Sequence, residues 1–318
     1  MNAWLKYSDF VCFFKRCNFK RYYTMMNILI VLIISFYIGK SIYSDVNKNI
    51  RIWNHYTSIE PRTTLSYTRL SKVAKPIHYK ILLRPNLVTY EFSGDETITI
   101  FVEETTSVIC VNSLNLTIDS MYAKRCGNEE YNDLRFEYLL DIEQIKIKFP
   151  EVLYKESIDL RIKFHGKLSK DPFGFYLSFY HENPVHPDQK VLASTQFESS
   201  YGRAAFPCFD EPNFKGTFEI SLQVHKDLTA LSNAEIKGID KMDDGTKKVN
   251  YESTLHMSTY LVAFVVGDLE YIEGITSNGK TRIRVYSVKG QIHRADFGLK
   301  VGIETVNYLN VYFNIDYP

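Results

Sequence analysis

The stretch SIDLRIKFHG, residues 157–166, decides the fold: Ile158, Leu160, Ile162 and Phe164 fall on one side of an extended chain, and Asp159, Arg161 and Lys163 on the other. Successive side chains of a strand point to opposite faces, so this alternation describes a sheet with one buried and one solvated face. The same period of two recurs outward in both directions. IHYKILLRP (77–85) sets Ile77, Tyr79, Ile81 and Leu83 on one face, and QIKIKFP (144–150) opposes Ile145, Ile147 and Phe149 to Lys146 and Lys148. TFEISLQVHK (217–226) repeats the pattern with Phe218, Ile220, Leu222 and Val224. Strands of this kind separated by turn residues predict a mainly β body, an antiparallel sandwich or saddle-shaped sheet pair. The 23 Tyr and 21 Phe among 318 residues agree with it, and a net charge of +1 argues against nucleic acid as a partner.

Toward the N-terminus the pattern changes. Residues 22–39, YYTMMNILIVLIISFYIG, carry no charge and just suffice to cross a bilayer as a helix. Lys6, Lys15, Arg16, Lys20 and Arg21 precede them against a single Asp9, so positive-inside reasoning leaves residues 1–21 as a cytosolic tail. The long basic leader and the lack of a small-x-small site favour an uncleaved signal anchor. The expectation is a single-pass type II protein of the plasma membrane, with residues 40–71 as a polar stalk and the rest extracellular or lumenal. In that topology Cys12 and Cys17 are reduced, whereas Cys110 and Cys126 face an oxidising space. Either those two are bridged or they are two free buried thiols; Cys208 reads as a small buried hydrophobe. In SVICVNSLNLTI (107–118), Asn115 and Thr117 oppose Leu114, Leu116 and Ile118, so the Asn115 glycosylation sequon points outward.

Toward the C-terminus the character shifts near Gly267. TRIRVYSVKG (281–290) is one more strand, and Leu299, Ile303, Val306, Leu309 and Phe313 then recur at helical spacing. That amphipathic helix wants a partner. The boundaries drawn are therefore a β domain over 72–268 and the truncated start of a second domain over 269–318.

Between two strands lies TQFESSYGRAAFPCFDEP, residues 195–212. Gln196 and Glu198 are two apart, and in an extended strand they would project from one face, an amide beside a carboxylate. A carboxylate aimed into a concavity binds an ammonium group through charge-assisted hydrogen bonds. Pro207 and Pro212 bracket a rigid turn in which Asp210 and Glu211 accept backbone N–H groups or pair with Arg203. A well-capped surface loop is the plainer reading of the same spacing.

This segment, followed by FKGTFEISL and TALSN, closely resembles the N-terminal domain of zinc aminopeptidases of the aminopeptidase N type, a gluzincin family, over residues 72–318. The resemblance implies a saddle-like β domain, then the first elements of a thermolysin-like α/β catalytic domain, in a membrane-anchored enzyme that removes N-terminal residues from peptides. It makes Glu198 a ligand of the peptide α-amino group, Gln196 a lining residue for the first side chain, and Phe206–Pro212 a structural support. Where members commonly carry an acidic residue and paired arginines, this chain reads Tyr201-Gly202-Arg203-Ala204-Ala205.

The family's zinc chemistry needs H-E-x-x-H and a G-A-M-E-N-like strand, and neither string occurs. HENPVH (181–186) does not replace them: its histidines are five apart and Pro184 would break a helix. No catalytic residue and no metal ligand is therefore assigned, zinc belongs to the full-length family, and this chain alone is expected to be inactive. Expected partners are peptide N-termini, the membrane through the anchor, a catalytic domain outside this chain and a second copy in a homodimer. The alternative is a membrane-tethered paralogue that binds peptides or partners and catalyses nothing.

Overall fold

The computed structural model describes residues 69–125, 130–181 and 189–317. The tail with Cys12 and Cys17, residues 22–39, the stalk up to residue 68, Cys126 and all of HENPVH after His181 lie outside the described residues. The described chain opens with β1 (Ala74–Asn86), β2 (Glu91–Val102), β3 (Thr106–Asn112), β4 (Leu116–Arg125), β5 (Glu130–Tyr131) and β6 (Arg135–Leu139). Next come β7 (Gln144–Leu153), β8 (Ser157–Lys167), β9 (Gly174–His181), β10 (Gln189–Gln196), β11 (Lys215–His225) and β12 (Thr229–Ser232). Last are β13 (Ile236–Lys241), β14 (Thr246–Tyr251), β15 (Met257–Ser258), β16 (Phe264–Gly267), β17 (Leu269–Ile275), β18 (Arg282–Val288) and a helix, α1 (Asp296–Phe313).

The mainly β expectation is met. The largest sheet runs β13-β14-β11-β1-β2-β8-β4-β5, with β15 on β11, beside smaller sheets β12-β16-β10-β9 and β3-β7-β6. The alternation in SIDLRIKFHG is realised in β8, where Ile158, Leu160, Ile162 and Phe164 are buried. Phe92 of the large sheet meets Phe175 of the four-stranded sheet edge-on at 5.3 Å, and both belong to one continuous core that also takes Ile109 and Ile147 from the three-stranded sheet. Burying one face of each sheet against another is what makes a two-layer sandwich stable.

Two details depart from the pattern. β1 and β11 pair in parallel, because no turn joins these distant segments and so no turn dictates their relative direction. Ile77 does not share the buried face of Tyr79, Ile81 and Leu83: the register shifts between Pro76 and His78, and Ile77 is left exposed. Such a one-residue irregularity moves a side chain to the opposite face.

Gly94 shows how tightly the large sheet is filled. It faces Phe164 across the β2–β8 ladder, and a Cβ built there would sit 2.2 Å from the Phe164 ring. Glu96, two residues on, also points inward, between Ile81 and Ile162 of the flanking strands. It is 1% exposed, and neither carboxyl oxygen has a hydrogen-bond partner among the described residues. Burial pushes this carboxyl well above the ordinary carboxylate range, helped by the neighbouring Asp95.

The expected helix is present, with Leu299, Ile303, Val306, Leu309 and Phe313 each half-buried. It packs on the β17–β18 hairpin, where Gly274 and Gly302 leave room for Ile303 and Ile283. The placement as a type II membrane protein is corrected here: among the described residues no helix is long and apolar enough to cross a membrane. α1, the one α-helix there, has 18 residues but carries Asp296, Lys300 and Glu304, and its apolar residues form a stripe rather than a sleeve.

Candidate functional site

β10 brings Gln196 to the end of the four-stranded sheet, where it faces Gly174 of β9 across the last rung of the ladder. The strand stops there. Phe197 turns into the core at 2% exposure, and the next residues form a turn closed by the Tyr201 N–H donating to the Phe197 carbonyl at 2.9 Å. Glu198 is therefore exposed on a turn, and half-buried Gln196 ends a strand. The two residues therefore do not share one strand: Gln196 ends β10 and Glu198 lies beyond it. The Glu198–Ser199 peptide bond is cis.

The support beneath this turn is dense. Arg203 is 2% exposed, and its Nε donates to Asp210 Oδ2 at 3.0 Å while its Nη1 donates to Glu143 Oε2 at 3.2 Å. The backbone N–H of Arg203 donates to the same Asp210 oxygen at 3.2 Å, and the Asp210 N–H is taken by Asn112 Oδ1 at 3.1 Å. Burial works against the Arg203 cation, yet Asp210 and Glu143 keep its pKa above the ordinary value. Burial likewise raises the Asp210 carboxyl above its ordinary value, opposed by Arg203. Such a pair holds its geometry because its remaining donors and acceptors are also satisfied.

The rest of the Phe206–Pro212 turn is anchored in the same way. Phe209 donates its N–H to Tyr79 Oη at 3.1 Å, and its carbonyl accepts from Thr259 Oγ1 at 3.1 Å. Glu211 Oε1 accepts the N–H of Leu70 at 2.7 Å, so the buried Leu70, within the segment read as stalk, is bound to the β body. Cys208 is fully buried, and burial holds its thiol well above the ordinary range. Asp210 and Glu211 are thus consumed in scaffolding. Sequence reasoning found Arg203, Asp210 and Glu211 but missed Asn112, Glu143 and Tyr79, which lie 60 or more residues away from Arg203 or Phe209 and bear no local signal.

Cys110 is a free, half-buried thiol. Asn115 and Thr117 are both exposed, Asn115 in a left-handed turn with φ 56°. The shallow surface depression lined by Asp133–Glu137 and Lys148 includes neither Gln196 nor Glu198. Among the described residues no group of three or more His, Cys, Asp or Glu side chains is placed to hold a metal ion. Among the described residues, the donors therefore do not fit the zinc that the resemblance implies.

Comparison with known proteins shows the family. Residues 75–261 match the Peptidase M1 N-terminal domain. The chain is 37% identical over 259 residues to the puromycin-sensitive aminopeptidase of Caenorhabditis elegans, covering 81% of this chain and 27% of that protein. It is 34% identical over 253 residues to human endoplasmic reticulum aminopeptidase 1, covering 79% of this chain and 27% of that protein. Aminopeptidase M1 of Arabidopsis thaliana is 36% identical over 253 residues, covering 79% and 28%. The chain spans about a quarter of the length of the curated relatives it matches. The matched region contains both strand alternation and the Arg203–Asp210 turn, and on these grounds the chain belongs to the M1 aminopeptidase family through that family's N-terminal domain.

Proposed function

We propose that this chain supplies the substrate-positioning domain of a zinc metallo-aminopeptidase that removes N-terminal residues from peptides. The observation that carries the reading is Glu198, an exposed carboxylate on a turn held by the buried Arg203–Asp210 pair, beside half-buried Gln196. A peptide ammonium meets Glu198 in a charge-assisted hydrogen bond, and the rigid turn fixes where that amine sits. Gln196 then lies next to the first side chain. Zinc, with its capacity to polarise a peptide carbonyl, is supplied by residues beyond this chain.

Residues 269–318 are the start of the catalytic domain in this reading. Support comes from α1, which packs one face on β17–β18 while Val311, Ile315 and Tyr317 stay largely exposed. Alone, the chain binds peptide N-termini without cleaving them.

Isothermal titration with tri-alanine and its N-acetyl form tests the proposal. The free-amine peptide should bind more tightly, and Glu198→Gln should weaken it about tenfold, as expected for loss of a charged partner. Equal heats for the two peptides would remove amine recognition from the account.

A further inference from the structure

The tip of the β17–β18 hairpin, TSNGKT over 276–281, holds the one Asn-Gly pair of the sequence, Asn278-Gly279. Residues 277–280 are exposed, and Gly279 adopts φ +70° with no side chain to hinder its own nitrogen. The Asn278 amide is set up as an electrophile. Its oxygen accepts from Thr276 Oγ1 at 2.7 Å and from the Lys280 N–H at 3.1 Å, two donors at the atom where negative charge develops when a nucleophile adds to Cγ. Its Nδ2 donates to Asp316 Oδ1 at 3.0 Å, and Asp316 also pairs with Lys280, which holds its carboxyl below the ordinary range. Nearby, the N–H and Oγ of Ser277 donate to Asn307 Oδ1 at 2.8 and 3.0 Å. Together these contacts clasp the hairpin tip to the last turns of α1 and the residues after it. Asp244-Gly245, at the tip of the β13–β14 hairpin, gives the contrast: its glycine also has positive φ, but Thr246 holds the Asp244 carboxyl below its ordinary value, and an ionised carboxylate is a poor electrophile.

We infer that Asn278 is a self-modification site, at which attack by the Gly279 nitrogen turns the amide into a carboxylate and opens the clasp on α1. The hydrogen bond from the Gly279 N–H to the Thr276 carbonyl, 2.9 Å, breaks first. The Gly279 nitrogen then bonds to Asn278 Cγ, the Cγ–Nδ2 bond breaks, and Nδ2 leaves as ammonia with the proton that Gly279 gives up. One water opens the cyclic imide at either carbonyl. Breaking the new bond leaves aspartate, and breaking the original peptide bond leaves isoaspartate. Either product lacks the Nδ2 donor and sets a second negative charge against Asp316, with Lys280 between them. Isoaspartate also lengthens the backbone of the turn. The conversion is independent of the amine-recognition reading of Glu198.

The test incubates the 318-residue chain, folded and unfolded in urea, in mildly alkaline buffer, with peptide mapping that resolves asparagine, aspartate and isoaspartate. In the folded chain Asn278 should convert faster than every other asparagine, and Gly279→Ala should slow it about tenfold. If Gly279→Ala fails to fold, Asn278→Gln carries the test, since its imide ring would be one atom larger and should form far more slowly. An Asn278 that stays intact in the folded chain while converting in urea overturns the site, as does a rate unchanged by either substitution. Asn278→Asp reads the consequence. It should speed hydrogen exchange of the Tyr317 N–H, which donates to Asn310 Oδ1 at 2.9 Å, by about threefold or more. Exchange identical to wild type overturns the opening of the clasp.

Discussion

Arg203 and Asp210 meet as a buried ion pair, Nε to Oδ2 at 3.0 Å, with side chains 2% and 1% exposed. Seven residues apart, they close the loop that links the turn carrying Glu198 to the Phe206–Pro212 support. Removing one partner leaves an uncompensated charge in the core, which costs far more than losing a surface pair. Arg203→Ala should therefore destabilise the domain by about 3–5 kcal/mol. Urea unfolding monitored by circular dichroism measures it, and a midpoint within error of wild type would mean that the pair does not hold the turn. Arg203→Lys should rescue little, because a lysine cannot serve Asp210 and Glu143 together from one planar fork.

Glu96 predicts a pH dependence. Its carboxyl is raised on folding from an ordinary 4.5, so the folded state holds a proton that the unfolded chain gives up. Its contribution is then fully present below pH 4.5 and is lost as pH rises toward the folded pKa. Glu96→Met, similar in length and apolar, should raise stability by about 2 kcal/mol or more at pH 7.5 and by less at pH 4.5. Thermal melts at the two pH values decide it; a gain independent of pH would mean that Glu96 is already ionised in the fold.

Gly94 tests the packing of the large sheet. Gly94→Ala forces the Phe164 ring out of its place, which should cost about 1–3 kcal/mol as overpacking does elsewhere. The double variant Gly94→Ala with Phe164→Leu should recover part of that loss. Additive losses in a denaturation series would show that the two sites do not share the space.

Cys208 is enclosed and its thiol is held protonated by burial, whereas Cys110 is half-buried. Labelling the native protein with iodoacetamide should leave Cys208 unmodified and modify Cys110 slowly, with both reacting after denaturation. Peptide mapping reads the result, and native modification of Cys208 would show that the Phe206–Pro212 turn opens readily.

The residues themselves determined the strands and the family. A period of two survives without tertiary information because pleating ties sequence parity to sheet face, and Ile158, Leu160, Ile162 and Phe164 obey it without exception. The helix over 296–313 was legible for the same reason at its own period. Tertiary structure alone decided the rest. Ile77 fell on the other face because of a register shift beside a proline, and β1 met β11 in parallel because distant strands carry no turn to orient them. Gln196 and Glu198 were identifiable as residues, but the neighbouring support from Arg203 to Asp210 rests on Asn112, Glu143 and Tyr79, which come from other strands and loops. Long-range hydrogen bonds and ring stacking such as Phe173 on Tyr201 depend on three-dimensional proximity, and local sequence carries no record of which distant residue will supply the partner.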